Sequence, residues 1–199
     1  MWTKLGEHIK QYWVIYLTLS CVYLAGVIFG AVGVEALGVS EQGQLAKFLD
    51  SLLQSQPTAL DSGFLEQLAR DTFIMMAGIW VLGLTVIGAP LIYLIVFTRG
   101  FILGFTVSFF IEAKGLLGLA LTLVSVFIPS LFVIPLLLLG AGLATVFSVL
   151  LLRGKNSGQS LRGEFLYYSM AAALVSLGAV AAGVTQGYFS LLGVRLFLG

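Results

Sequence analysis

The sequence predicts an all-α, polytopic integral membrane protein whose residues 1–199 form a single transmembrane domain. Hydrophobic residues make up 59% of the chain, charged residues make up 10%, and the mean hydropathy is +1.07. These values lie outside the range of soluble globular domains. The few charged residues cluster between long uncharged runs, so their positions carry more information than the net charge of +1. Membrane lipid is therefore the first partner that the composition predicts.

Three uncharged runs are long enough to cross about 30 Å of hydrocarbon, which takes about 20 helical residues. They are Gln11–Val34, Thr72–Thr98 and Phe165–Val194. Pro90 interrupts the second run, where a membrane helix tolerates it as a kink. A fourth run, Gly115–Leu152, contains Pro129 and Pro135 and predicts a kinked or broken span.

Basic residues predict the orientation of these spans. They precede the first run, follow the second and fill the Gly-rich link before the last: Lys4, Lys10, Arg99, Arg153, Lys155 and Arg162. The positive-inside rule places all three groups, and with them the N-terminus, in the cytoplasm. The connection over residues 35–71 has six acidic residues against two basic ones, so we expect an extracytoplasmic helical loop there.

The stretch after Arg99 predicts a short third helix. Gly100–Ile111 rises only about 18 Å, so a longer helix would carry Glu112 and Lys114 into hydrocarbon at about 2.5 to 3.5 kcal/mol for each charge. We therefore expect Arg99, Glu112 and Lys114 to be interfacial anchors, with Gly115 in the turn. The prediction is about five spans; a re-entrant hairpin, four spans or six spans stay open.

Pairs of glycines at four-residue spacing predict close helix packing, because small residues let helix backbones approach each other in a bilayer. The pairs are Gly26 with Gly30, Gly100 with Gly104, and Gly183 with Gly187. They are typical of a tight bundle and equally of a homo-oligomer, and the sequence does not separate the two.

The acidic loop contains an amphipathic stretch, "EQGQLAKFLDSLLQ". Its apolar residues recur at spacings of three and four and include Leu45, Phe48, Leu49 and Leu52. This face fits the outer membrane surface or the bundle, and it also fits a docking site for an external protein.

Residue types that carry chemistry are scarce, since His8 is the only histidine and Cys21 the only cysteine. The sequence has no histidine cluster for zinc, no Ser-His pair and no phosphate-binding glycine loop. It also lacks a basic, aromatic-laced face for nucleic acid. We therefore predict no catalytic, cofactor-binding or metal-binding residues and no nucleic-acid partner.

Three blocks together resemble one known family. They are "YLAGVIFGA", "IWVLGLTVIGAPLIYLIVFTRGFILGFTVSFF" and "SVFIPSLFVIPLLLL". Their order and spacing are similar to the stage II sporulation protein M family, including Gly88, Pro90, Arg99, Gly100, Gly104, Pro129 and Pro135. The resemblance covers most of the chain and is weakest in the outer loop.

The resemblance implies a non-catalytic membrane scaffold in the mother-cell membrane at the sporulation septum. Such a scaffold would recruit two peptidoglycan hydrolases, an amidase/endopeptidase and a lytic transglycosylase, for septal wall remodelling during engulfment. The alternative is a transporter or permease-like subunit, which the proline-broken fourth span and the short third helix suggest, since broken helices line substrate sites in many transporters.

Overall fold

The computed structural model describes residues 12–36, 43, 62–85, 87–122, 128–152 and 161–198. In these ranges the regular structure is entirely α-helical, which confirms the predicted fold class. The helices are α1 (Trp13–Glu35), α2 (Ser62–Gly83), α3 (Gly88–Thr122), α4 (Ile128–Leu152) and α5 (Leu161–Leu198).

Four of these helices contain segments that are long and apolar enough to cross a bilayer. The segments are Trp13–Glu35, Gly88–Ala113, Ser130–Leu152 and Phe165–Gly187. The helix α2 differs because charged residues as far as Asp71 leave only Thr72–Gly83 uncharged, a rise of about 18 Å. The described chain is thus a multi-pass membrane bundle with one helix that is apolar over half its length.

Contacts between helices show which helix ends share a side of the bundle. Tyr16 of α1 lies against Gly142 of α4, and Ser148 of α4 bonds to Thr85 in the turn between α2 and α3. The Tyr168 hydroxyl, near the start of α5, donates to the carbonyl oxygen of Trp80 at 2.9 Å. We call the side where α1 begins the first side and the opposite one the second side. The helices α1, α3 and α5 run from the first side to the second, and α2 and α4 return.

The main correction to the sequence analysis concerns the turn between the second and third passes. Thr72–Thr98 is not one helix kinked at Pro90: α2 ends at Gly83 and α3 begins at Gly88. Pro90 is the third residue of α3, where its missing N–H would have had no helical acceptor. The third helix is consequently not short, and the span Gly88–Ala113 passes through Arg99 without a break.

The regular part of α3 ends at Gly115, as predicted. This residue has φ 59° and ψ −134°, a left-handed conformation that glycine adopts without a steric penalty from Cβ. Helical conformation resumes beyond it as far as Thr122.

The helix α4 is the centre of the bundle and packs against the other four helices. Residues 140–148 are all buried, whereas Leu131 and Phe132, nearer the second side, are about 60% exposed. Pro135 lies inside α4 without ending it. Large apolar side chains are exposed on the outer faces of the helices, as expected for surfaces that contact lipid.

Candidate functional site

The most extensive helix contact joins α1 and α3, which run parallel. Gly26 and Gly30 of α1 and Gly100 and Gly104 of α3 are all buried in it. A Cβ on Gly104 would lie 2.8 Å from the Cα of Val27 and would collide with the Val27 carbonyl group. These two predicted glycine pairs therefore face each other, each helix presenting glycines to the backbone of the other.

The third glycine pair belongs to a different contact. Gly183 and Gly187 are buried on α5. A Cβ on Gly183 would lie 2.7 Å from the Thr72 Oγ1 of α2. Gly183 thus packs near the start of the apolar half of α2.

Phenylalanine rings continue the contact between α1 and α3 toward the second side. Phe101, Phe105 and Phe109 stack along α3 with ring centroids 6.1 and 6.3 Å apart. Val34 of α1 is fully buried against Phe109. The contact between α1 and α3 thus consists of glycines in the middle of the span and of aromatic side chains toward the second side.

A different kind of site lies where α2 and α3 face each other. Asp71 and Tyr23 both interact electrostatically with the Arg99 guanidinium group. Asp71 lies twelve residues before the end of α2, and Arg99 lies eleven residues after the start of α3. Because the two helices are antiparallel and joined by a short turn, both residues lie about 16 to 18 Å from the first side.

This distance corresponds to the middle of the candidate membrane span of α3. Arg99 is the twelfth residue of the 26-residue span Gly88–Ala113. Its neighbour Gly100 packs on Tyr23, the eleventh residue of the 23-residue helix α1. The helices α1 and α3 therefore both place Arg99 at the middle of the candidate span, where α3 continues without the helix boundary that the sequence analysis expected at Arg99. Its role as an interfacial anchor stays a prediction.

Charged residues continue along α2 toward the second side. We define the charged sector as Glu66, Arg70 and Asp71 of α2 together with Arg99 of α3; each is exposed. The helices α2 and α3 contact each other less than either contacts α4. The sector therefore stays accessible from outside the bundle over the half of the molecule nearer the second side.

A serine of α4 forms hydrogen bonds to the turn between α2 and α3, on the first side of the bundle. The Ser148 hydroxyl donates to the Thr85 carbonyl oxygen at 2.8 Å and accepts from the Ala89 N–H at 3.2 Å. Ser148 is fully buried in α4. It thus ties both ends of the connection between α2 and α3 to the central helix, a role that no sequence motif had indicated.

A small cavity lies between α2, α4 and α5. Its lining includes Met76, Trp80, Val175 and Ser176, and its volume is about 10 Å³. That space corresponds to about one water molecule, so it does not hold a transport substrate. Among the described residues, no group of three or more histidine, cysteine or carboxylate side chains is arranged to hold a metal ion.

The remaining predicted site residues are only partly covered by the structure. Glu112 is exposed on α3, one turn before Gly115. Lys114 lies on the same helix, and its side chain is outside the described part of the chain. The predicted apolar stripe of the outer loop also lies outside the described residues: Leu45, Phe48, Leu49 and Leu52.

The family model of stage II sporulation protein M matches residues 19–191, which is most of the chain and includes α2, α3 and α4 entirely and most of α1 and α5. The chain belongs to the stage II sporulation protein M family. The match confirms the predicted resemblance and identifies a sporulation-related membrane protein family. No curated protein and no solved structure matches this family member significantly.

Proposed function

We propose that the chain is a non-catalytic membrane scaffold that recruits and localises peptidoglycan hydrolases during sporulation. The observation that carries this proposal is the family match over residues 19–191. The partners we propose are an amidase/endopeptidase and a lytic transglycosylase, which remodel septal wall while the mother-cell membrane engulfs the forespore.

The arrangement of helix ends supports an orientation that suits this function. The helix α1 begins, and α4 ends, on the first side, next to Lys4, Lys10, Arg153 and Lys155 in the sequence. The positive-inside rule then makes the first side cytoplasmic. The second side, to which the acidic segment 37–61 is attached at both ends, would face the septal wall.

Cysteine labelling tests this orientation. In a Cys21→Ala chain, a cysteine at Ser55 should react with an impermeant thiol reagent on intact cells, and a cysteine at Ser157 should react only after the membrane is opened. Reaction of both cysteines on intact cells would contradict the proposed topology.

The amphipathic stretch of the outer loop is the docking surface that we propose for the hydrolases. Its sequence offers Leu45, Phe48, Leu49 and Leu52 on one face, without a charge among them. An apolar helix face of this kind binds a complementary groove or juxtamembrane segment of a partner.

The test replaces Phe48 and Leu52 by aspartate in a sporulating host whose own family member has been deleted. We expect normal abundance of the variant, loss of hydrolase co-purification and arrest before engulfment. Gln54→Asp is the matched control, because it adds a charge to the same stretch on the side of the helical wheel opposite the apolar face. Normal engulfment in the double variant would contradict docking at this surface. Normal engulfment without any family member would contradict the proposed function itself.

A transporter or permease-like subunit is the second candidate. The observation that favours it is the position of Arg99 at the middle of a candidate span, with Asp71 interacting electrostatically with it, because ionisable residues within membrane spans frequently line substrate or ion pathways. Transport by the purified chain in vesicles, lost on Arg99→Gln, would favour this candidate over the scaffold.

A further inference from the structure

The helix α2 differs from the other described helices because it alone contains no segment that is long and apolar enough to be a candidate membrane span. Asp71 is the tenth of its 22 residues. On insertion scales, one aspartate at the centre of a span offsets about five or more leucine, isoleucine, phenylalanine or valine residues. The half of α2 beyond Asp71 contains five residues of these types: Phe73, Ile74, Ile79, Val81 and Leu82. By itself, α2 is therefore poorly suited to enter a bilayer.

Asp71 has no compensating charge on its own face of α2. The residues three and four positions away from it are uncharged: Gln67, Leu68, Ile74 and Met75. Glu66 and Arg70, in contrast, are four residues apart, a spacing at which side chains of one helix can pair. The charge that interacts with Asp71 is the Arg99 guanidinium group of α3. The compensation that α2 lacks is thus supplied by the next helix.

The helix α3 can carry this charge because the rest of its span is strongly apolar. The span Gly88–Ala113 has a hydropathy of 2.0 although Arg99 lies at its middle. The antiparallel arrangement of α2 and α3 brings Asp71 to the same distance from the first side as Arg99. The two helices together therefore have both the apolar surface and the charge balance that α2 alone does not have.

The turn between α2 and α3 is closed by local hydrogen bonds. The N–H groups of Leu84 and Thr85 donate to the carbonyl oxygens of Val81 and Leu82, both at 3.0 Å. The Gly88 N–H donates to the Thr85 carbonyl oxygen at 3.1 Å. These bonds involve only residues 81–88, so the turn can form before the later helices have been made.

We propose that α2 enters the membrane only together with α3, as one helical hairpin in which Arg99 compensates the charge of Asp71. The two charges cancel within the hairpin, and the apolar surface of α3 provides the driving force for both helices. The proposal follows from the composition of α2, the antiparallel geometry and the local turn. It does not rest on hydrolase recruitment, and its failure would leave that function untouched.

The side on which the turn lies reports whether α2 has crossed the membrane. Ile87 is 71% exposed in this turn. In a Cys21→Ala chain, Ile87→Cys should react with an impermeant thiol reagent from the same side of the membrane as Ser157→Cys. If α2 has not crossed, Ile87→Cys reacts from the side of Ser55→Cys instead.

Arg99→Leu is the critical variant, because it makes α3 more apolar and yet leaves Asp71 without its partner. Labelling of Ile87→Cys from the side of Ser55→Cys should rise by about tenfold or more. Adding Asp71→Leu to this variant should return the labelling to the wild-type level. Thr98→Leu is the matched control, since Thr98 is the exposed neighbour of Arg99 on α3 and the change raises apolarity without removing a charge.

Protein abundance keeps the proposal testable where chains with an uninserted α2 are degraded. The abundance of Arg99→Leu should then fall, and that of the double variant with Asp71→Leu should recover. Unchanged labelling and abundance of Arg99→Leu would overturn the proposal, because α2 would then insert without the pair. A defect of Arg99→Leu that Asp71→Leu does not rescue would also overturn it, because Arg99 would then act through another group.

Discussion

The two faces of α3 associate with their neighbours by opposite means. Toward α1, Gly100 and Gly104 present no side chains, and the contact joins one backbone directly to the other. Toward α2, Arg99 carries a long cationic side chain, and its interaction with Asp71 is electrostatic. One helix of this membrane protein thus carries a close-packed backbone interface on one face and a polar, exposed side chain on another.

The difference follows from what stabilises helix contacts in lipid. Hydrophobic side chains gain little by leaving lipid for another helix, so close packing of backbones provides the attraction between α1 and α3. The connection between α2 and α3 is instead held by side-chain hydrogen bonds from Ser148. We therefore expect a larger side chain at a glycine to disrupt the contact between α1 and α3. Loss of the Ser148 hydroxyl should instead weaken the attachment of the turn between α2 and α3.

The largest effect is expected for Gly104→Leu. The new side chain has no space beside the backbone of Val27, so α1 and α3 must separate, and the cost should reach or exceed the upper end of the about 1 to 3 kcal/mol that overpacking typically costs. The matched control is Gly78→Leu on α2, because a Cβ at Gly78 would meet no atom within 4 Å. The unfolding temperature in detergent should decrease strongly for Gly104→Leu and change little for Gly78→Leu. Similar decreases for both would mean that glycine content, and not close approach, sets the stability.

An intermediate effect is expected for Ser148→Ala. The variant leaves the Thr85 carbonyl and the Ala89 N–H without this buried partner, at a cost of about 1 to 3 kcal/mol. Ser176→Ala is the control, because the Ser176 hydroxyl donates to the Ala172 carbonyl of its own helix at 2.7 Å. Hydrogen exchange of the turn should accelerate only in the first variant. Unchanged exchange there would show that the turn is held without Ser148.

The smallest effect is expected for Tyr168→Phe. The phenyl ring keeps its stacking on Phe147, with centroids 4.5 Å apart, and loses only the hydrogen bond to the Trp80 carbonyl, worth about 1 kcal/mol. Tyr167→Phe provides the comparison, since the buried Tyr167 hydroxyl has no hydrogen-bond partner among the described residues. Removing it should leave the unfolding temperature unchanged or slightly raised. A larger loss for Tyr167 than for Tyr168 would contradict this assignment.

The sequence predicts the membrane class and the glycine pairs because both are local patterns. Uncharged runs and four-residue spacings can be read without knowing which helices meet. The position of Arg99 along the span could not be predicted in this way. A basic residue after an apolar run gives the same sequence pattern at a membrane interface as in the middle of a span. The residues from Gly83 to Pro90 could have indicated the turn between α2 and α3. Glycine and proline in this order fit the end of one helix and the start of the next, but they fit a kink in one continuous helix equally well.

Once the turn is placed at residues 84–87, the pairing of Asp71 with Arg99 follows from counting residues along two antiparallel helices. What counting cannot supply is the identity of neighbours across the bundle. The hydrogen bonds of Ser148 and Tyr168 join helices that are 59 or more residues apart in the sequence. Serine and tyrosine also occur at lipid-facing and loop positions, so no sequence pattern singles out Ser148 or Tyr168.

The parallel arrangement of α1 and α3 has a consequence for how the chain is made. Gly26 meets its neighbour Phe101 only after roughly 75 further residues have been synthesised, which takes about 4 to 15 seconds at 5 to 20 residues per second. During that interval α1 lacks α3, the helix that covers its glycine face in the folded protein. The uncharged, strongly apolar sequence of Trp13–Val34 is stable in lipid before α3 has been made. The contact between α1 and α3 therefore forms only after α3 has been translated.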